Sequence, residues 1–108
     1  MWAAAKGDER MIVRIGRGHI KPGTWDAYEA AYKRVLLEGE RPPGLIGRWL
    51  VRDVEDEHGG YTIGFWDDED ALSAWLESDS FADAQETMRP YFVGDFQVHT
   101  CEVRVNEE

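Results

Sequence analysis

The sequence predicts an α+β domain of the ferredoxin-like, split β-α-β-β-α-β type. Such a domain is a four-stranded antiparallel sheet with its helices on one face. Three observations predict it. Four segments alternate apolar and polar residues at the period of a strand. Two stretches repeat apolar residues at the period of a helix. Gly, Pro and Asp clusters separate them in the order β-α-β-β-α-β. A chain of 108 residues suits one such domain with one core.

Strand one reads from Met11 to His19, where Met11, Val13 and Ile15 alternate with Ile12, Arg14 and Gly16. Lys21-Pro22-Gly23-Thr24 is a turn, with Thr24 placed to cap the helix that follows. Helix one spans Trp25 to Glu38, carrying Trp25, Tyr28, Tyr32, Val35 and Leu36 on one stripe. Gly39 and Pro42-Pro43 stop it. Strand two covers Leu45 to Val54. Alternation sets Leu45, Gly47, Trp49 and Val51 against Ile46, Arg48, Leu50 and Arg52. The acidic stretch Asp53 to Gly60 forms a hairpin loop into strand three, Tyr61 to Trp66. Asp67 caps helix two, whose first turn is acidic and whose stripe is Ala71, Leu72, Trp75 and Leu76. Ser78 to Ser80 interrupt it, and Phe81, Ala84 and Met88 mark a second short helix ending near Pro90. Strand four runs from Phe96 to Val105, with Phe96, Val98 and Thr100 opposite Gln97, His99, Cys101 and Val103. Residues 1–10 have no period and read as a loose extension. The domain proper covers 11–105, and 106–108 are a polar tail.

Helices on one face leave the other sheet face bare, yet both faces of the strands carry apolar residues. The pattern therefore implies a homodimer joined through those sheet faces. The formal net charge of −10 repels phosphate backbones and anionic lipid, which argues against nucleic-acid and membrane partners. The single cysteine, Cys101, has no partner for a disulfide or a thiolate metal site. His19, His58 and His99 share no ligand spacing, so no metal is expected. With no apolar leader or spanning segment, the cytoplasm is the expected compartment.

The stretch from Tyr61 to Phe81 carries a distinctive pattern. A strand ends in Trp66; Asp67-Asp68-Glu69-Asp70 opens a helix; Ala71, Trp75, Ser78 and Phe81 follow. Together with Lys21-Pro22-Gly23 and Pro43-Gly44-Leu45, it resembles the antibiotic-biosynthesis monooxygenase family of dimeric α+β barrels. The resemblance spans Met11 to Val105. Haem-degrading members of that family use an Asn on strand one, a Trp ending strand three and an axial His on a later helix. This chain keeps the Trp as Trp66, but has Gly16 and Gln85 at the other two positions. Gln does not replace imidazole on haem iron, so haem degradation is not implied. Quinone-forming members oxidise polyphenolic aromatics with molecular oxygen and no cofactor. Some carry an Asn four residues before the Trp, where this chain has Thr62.

The residues themselves leave several roles open. Trp66 is a pocket wall that stacks on a planar substrate, a packing anchor under helix two, or both. Thr62, Tyr28 and Tyr32 offer hydroxyls to a ligand, though the two tyrosines read more readily as core. His99 is a candidate base toward a phenolic proton, or a plain strand histidine. Arg14, Arg48 and Arg52 are a clamp for an anionic substrate, or structural ion pairs. Gly16 and Gly64 sit inside strands, where glycine weakens the ladder. They make room for a ligand or for an aromatic such as Trp49.

Two functions follow as expectations. The first is a cofactor-independent oxygenase acting on a phenolic or polyketide-like aromatic, with Trp66 and His99 catalytic and Trp66, Thr62, Tyr28, Tyr32 and Arg14 holding the substrate. The second is a non-catalytic dimeric domain that binds a small molecule in the same pocket.

Overall fold

Residues 10–107 are described in the computed structural model. The expected extension over 1–10 lies, apart from Arg10, outside them. Four strands form one sheet: β1 (Ile12–Ile20), β2 (Leu45–Arg52), β3 (Gly59–Trp66) and β4 (Phe92–Glu102). Their order is β2-β3-β1-β4, and every pairing is antiparallel. Helices α1 (Trp25–Tyr32), α2 (Glu69–Leu76) and α3 (Asp79–Met88) pack on one face. The ferredoxin-like arrangement is the one the sequence predicts. No helix among the described residues is long and apolar enough to cross a membrane.

Several local readings change. Helix one is α-helical only to Tyr32; residues Lys33–Leu37 form a π-helix, with Glu38 N–H bonded to Lys33 O at 3.0 Å. Thr24 stands at the N-cap position, but its hydroxyl donates back to Lys21 O at 2.7 Å and caps nothing. The cap of α2 is Asp68 rather than Asp67: its carboxylate accepts from Ala71 N–H at 2.9 Å. Ser78 joins the two later helices. Its hydroxyl donates to Trp75 O at the end of α2 and accepts from Phe81 N–H at the start of α3. Strand four begins four residues earlier than expected, at Phe92, and ends at Glu102.

A β-bulge corrects strand two. The pairing with β3 steps from Leu45↔Trp66 to Gly47↔Phe65, so Ile46 is the extra residue. An extra residue flips the alternation. Leu45 is thereby buried on the helix side with Ile12, Trp66 and Leu72, while Gly47, Trp49 and Val51 stay on the other side.

The helix-side core is split in two. One cluster gathers Ile20, Trp25, Tyr28, Ala31, Tyr32 and Met88 around α1. The other gathers Ile12, Leu45, Trp66 and Leu72 under α2. The opposite sheet face carries no helix. Register puts Val13 beside Phe65, and Ile15 between Ile63 and His99. Trp49 lies edge-on to Phe65 there and is 57% exposed. At one end of this face, Arg17 and His19 hold the β2–β3 hairpin: His19 Nε2 meets Asp56 Oδ2 at 2.9 Å.

Candidate functional site

The gap between the two core clusters is a cavity of about 320 Å³, within the range of small-molecule sites. The sheet supplies its floor, with Arg14 from β1, Arg48 from β2, and Thr62, Gly64 and Trp66 from β3. Helix α1 and its π-helical end supply Tyr28, Tyr32 and Leu36. The later helices supply Trp75, Phe81, Gln85 and Met88, and β4 supplies Phe92 and Phe96.

Local rules explain these placements. Thr62, Gly64 and Trp66 alternate along β3, so they share the helix-side face. Tyr28 and Tyr32 are one helical turn apart and point down onto it. Both are buried, and neither hydroxyl has a hydrogen-bond partner among the described residues. Burial pushes the Tyr28 hydroxyl well above its ordinary pKa, and neighbouring Tyr32 adds to this. Burial raises Tyr32 as well, against the opposing pull of Arg48. Both phenols therefore stay protonated and act as donors. Trp66 is 2% exposed and stacks on Trp75 with 6.3 Å between ring centroids. It is both an anchor of the α2 cluster and a wall of the cavity.

Glycine makes space for the floor, though not for Trp49, which lies on the far face. A Cβ at Gly16 would stand 2.6 Å from the Phe96 ring. The missing side chain lets Phe96 lie flat across β1, beside Phe92. A Cβ at Gly64 would come within 3.2 Å of Trp66 Nε1, so the indole N–H edge lies over that bare backbone.

The cavity's charge is opposite to that of the chain. Arg14 and Arg48 line it, with Arg89 at the rim, and no Asp or Glu among the described residues does. Burial pulls the pKa of both Arg14 and Arg48 below the ordinary guanidinium value. Arg48 is fixed by its Nη1, which donates to Leu36 O at 2.9 Å. Leu36 lies in the π-helix, whose last carbonyls lack α-helical partners. A cation at a helix C-terminus is also favourable there.

Of the site residues expected from sequence, Trp66, Thr62, Tyr28, Tyr32 and Arg14 come together around this cavity. His99 does not. It pairs with Ile15 on the helix-free face of the sheet and is exposed, so the candidate base points away from the cavity. Its place is dictated by parity: odd positions of β4 share a face with Val13, Ile15 and Arg17. Arg52 lies over the Trp25 ring instead of in the cavity. Gln85, notable in sequence only as a missing histidine, lines the wall. Phe92 and Phe96 were not legible as site residues, because they reach the cavity through the strand pairing of β4 with β1.

Residues 11–87 match the family model for antibiotic biosynthesis monooxygenase. The chain belongs to that family. Solved structures share its fold at low identity. An antibiotic biosynthesis monooxygenase by assignment, from Caulobacter crescentus, superposes with a TM-score of 0.80 at 18% identity, over 90% of this chain and 92% of that one. One from Chloroflexus aurantiacus gives 0.73 at 23%, over 91% and 97%. A single-residue variant of SnoaB, a cofactor-independent oxygenase from Streptomyces nogalater, gives 0.78 at 18%, over 90% and 96%. No curated protein sequence matches the chain. Of the positions the resemblance singles out, Trp66, Thr62 and Gln85 line the cavity, and Gly16 does not.

Proposed function

We propose that this chain is a cofactor-independent monooxygenase that oxidises a phenolic or polyketide-like aromatic with molecular oxygen in the cavity between sheet and helices. The observation that carries this reading is the lining: aromatic walls, hydroxyl and guanidinium donors, and no carboxylate. Such a site favours the anion of a planar phenol over its neutral form. The anion is the electron donor that oxygen needs. An electron passes from the bound anion to oxygen, and the two radicals combine at the ring carbon. The resulting peroxide loses water to leave a quinone carbonyl. One oxygen atom enters the product and the other leaves as water, with the substrate supplying every electron.

Among the described residues no general base lines the cavity. Tyr28 and Tyr32 hold their protons, and His99 lies across the sheet. The proton therefore goes to solvent, and the arginines assist by lowering the substrate's own pKa. Oxygen uptake by the purified protein, across dihydroxynaphthalenes and anthrones, tests the reading. Uptake above the spontaneous rate supports it; no uptake with any compound overturns it.

The lack of a base in the cavity also supports a second reading, a domain that binds such an aromatic without turning it over. Ligand-dependent thermal stabilisation without oxygen uptake is its signature. Under either reading we propose a homodimer. The helix-free face exposes Trp49, edge-on to Phe65, and Val51, paired with Tyr61, an apolar patch that a second copy would cover.

A further inference from the structure

The cavity holds cations without counter-ions. Neither Arg14 nor Arg48 pairs with a carboxylate among the described residues, although the chain's net charge is −10. Both are half-buried, and even partial burial of an unpaired charge is unfavourable. A site that tolerates the cost has a use for them.

The two arginines stand at one level of the sheet. Arg14 pairs with Gly64 from β1, and Arg48 pairs with Gly64 from β2. Two strand spacings put their Cα atoms about 10 Å apart, with no side chain between them. Each guanidinium lies against a ring of the opposite wall. Arg14 is 5.5 Å from the Phe81 centroid, and Arg48 is 5.1 Å from that of Trp75. Stacking occupies the face of a guanidinium and leaves its N–H edge for an acceptor in the plane. The Nη2 of Arg48 is buried with no hydrogen-bond partner among the described residues. Trp66 directs its indole edge over the same glycine.

From this arrangement we infer that the cavity takes an aromatic carboxylic acid, its carboxylate seated over Gly64 between Arg14 and Arg48 and its ring within the aromatic walls of the cavity. A lone phenolate oxygen engages one fork. A carboxylate has two oxygens, one for each arginine. The inference rests on the cavity being the substrate site, but not on the oxygen chemistry.

Calorimetric titration under nitrogen tests it, with 3-hydroxy-2-naphthoate, its methyl ester and 2-naphthol as probes. The acid should bind at least about tenfold tighter than the ester, the effect of one charge-assisted contact. Arg14→Gln gives up no ion pair or hydrogen bond within the described chain. It should bring the acid-to-ester ratio near one, with acid affinity falling more than ester affinity. Arg48→Gln should lower the ratio too, with a thermal scan to show that it folds. Equal affinity for acid and ester overturns the inference. So does an Arg14→Gln variant that weakens both equally, or failure of all three probes to bind. Acid-selective binding without oxygen uptake sinks the oxygenase reading and leaves this one standing. Uptake with neutral phenols, alongside equal binding of acid and ester, does the reverse.

Discussion

Replacing Trp66 separates its two roles. The side chain is 2% exposed, packs with Ile12, Leu45 and Leu72, and stacks on Trp75. Truncation to alanine removes the transfer energy of the indole and opens a void beside an existing cavity. Fully buried aromatic-to-alanine changes cost about 3–5 kcal/mol. For a domain of this size that corresponds to a melting temperature lower by roughly 15–30 °C. Total stability is on the order of 5–15 kcal/mol, so a parent near the middle of that range leaves the variant folded at low temperature. Trp66→Phe keeps a ring in the cluster but loses the N–H over Gly64. It should cost less than half as much in stability, yet still lower turnover. Urea unfolding followed by circular dichroism gives the first quantity, and an oxygen electrode gives the second. An alanine variant within about 1 kcal/mol of the parent would refute the anchoring role, since no buried tryptophan is that cheap to remove. A phenylalanine variant with unchanged turnover would show that the indole edge is idle.

Other perturbations bear on the remaining elements. His99→Gln should leave turnover within about twofold, because a solvated group on the far face adds none of the roughly hundredfold of a general base. The pH profile should then follow the substrate's own phenol. Asp56 is held below the ordinary carboxylate range, first by its hydrogen bond from His19 and then by the His58 backbone and nearby cations. A depressed carboxyl stabilises the fold above its unfolded pKa, and the gain is lost as pH falls through the folded value. In a carbon-detected NMR titration, His19→Asn should move Asp56 back toward the ordinary range. Ser78→Ala removes a cap and the link between α2 and α3. It should lower stability by about 1 kcal/mol in thermal unfolding. Trp49→Glu puts a charge on the helix-free face; on the proposed homodimer, sedimentation velocity should find a dimeric parent and a monomeric variant.

Most of the fold was legible because it depends on local period. Alternation along Tyr61–Trp66 placed Thr62, Gly64 and Trp66 on one face, and the helical spacing of Tyr28 and Tyr32 set them together. What failed depends on geometry that period does not encode. The bulge at Ile46 moved Leu45 to the opposite face, and nothing in Leu45-Ile46-Gly47 announces an extra residue. The π-turn in Lys33–Leu37 has no mark in the composition of the segment. The cap shifted from Asp67 to Asp68 because adjacent aspartates are equivalent by chemistry, and only the hydrogen bond to Ala71 distinguishes them. For the site, side-chain chemistry was readable and register was not. His99 qualified as a base by its imidazole, and only the Ile15↔His99 pairing shows which side it faces. Arg14 and Arg48 were recognisable as a possible clamp. That they flank one glycine is a property of three strands at once.

The most direct test of the proposed reaction is isotopic. An anthrone that supports uptake is turned over under ¹⁸O₂ for a time short against carbonyl exchange, and the quinone is weighed by mass spectrometry. One labelled oxygen atom per quinone, with no hydrogen peroxide released, is the expected result. Unlabelled quinone with stoichiometric peroxide would contradict it, because oxygen would then be an electron acceptor only and the chain would not be a monooxygenase.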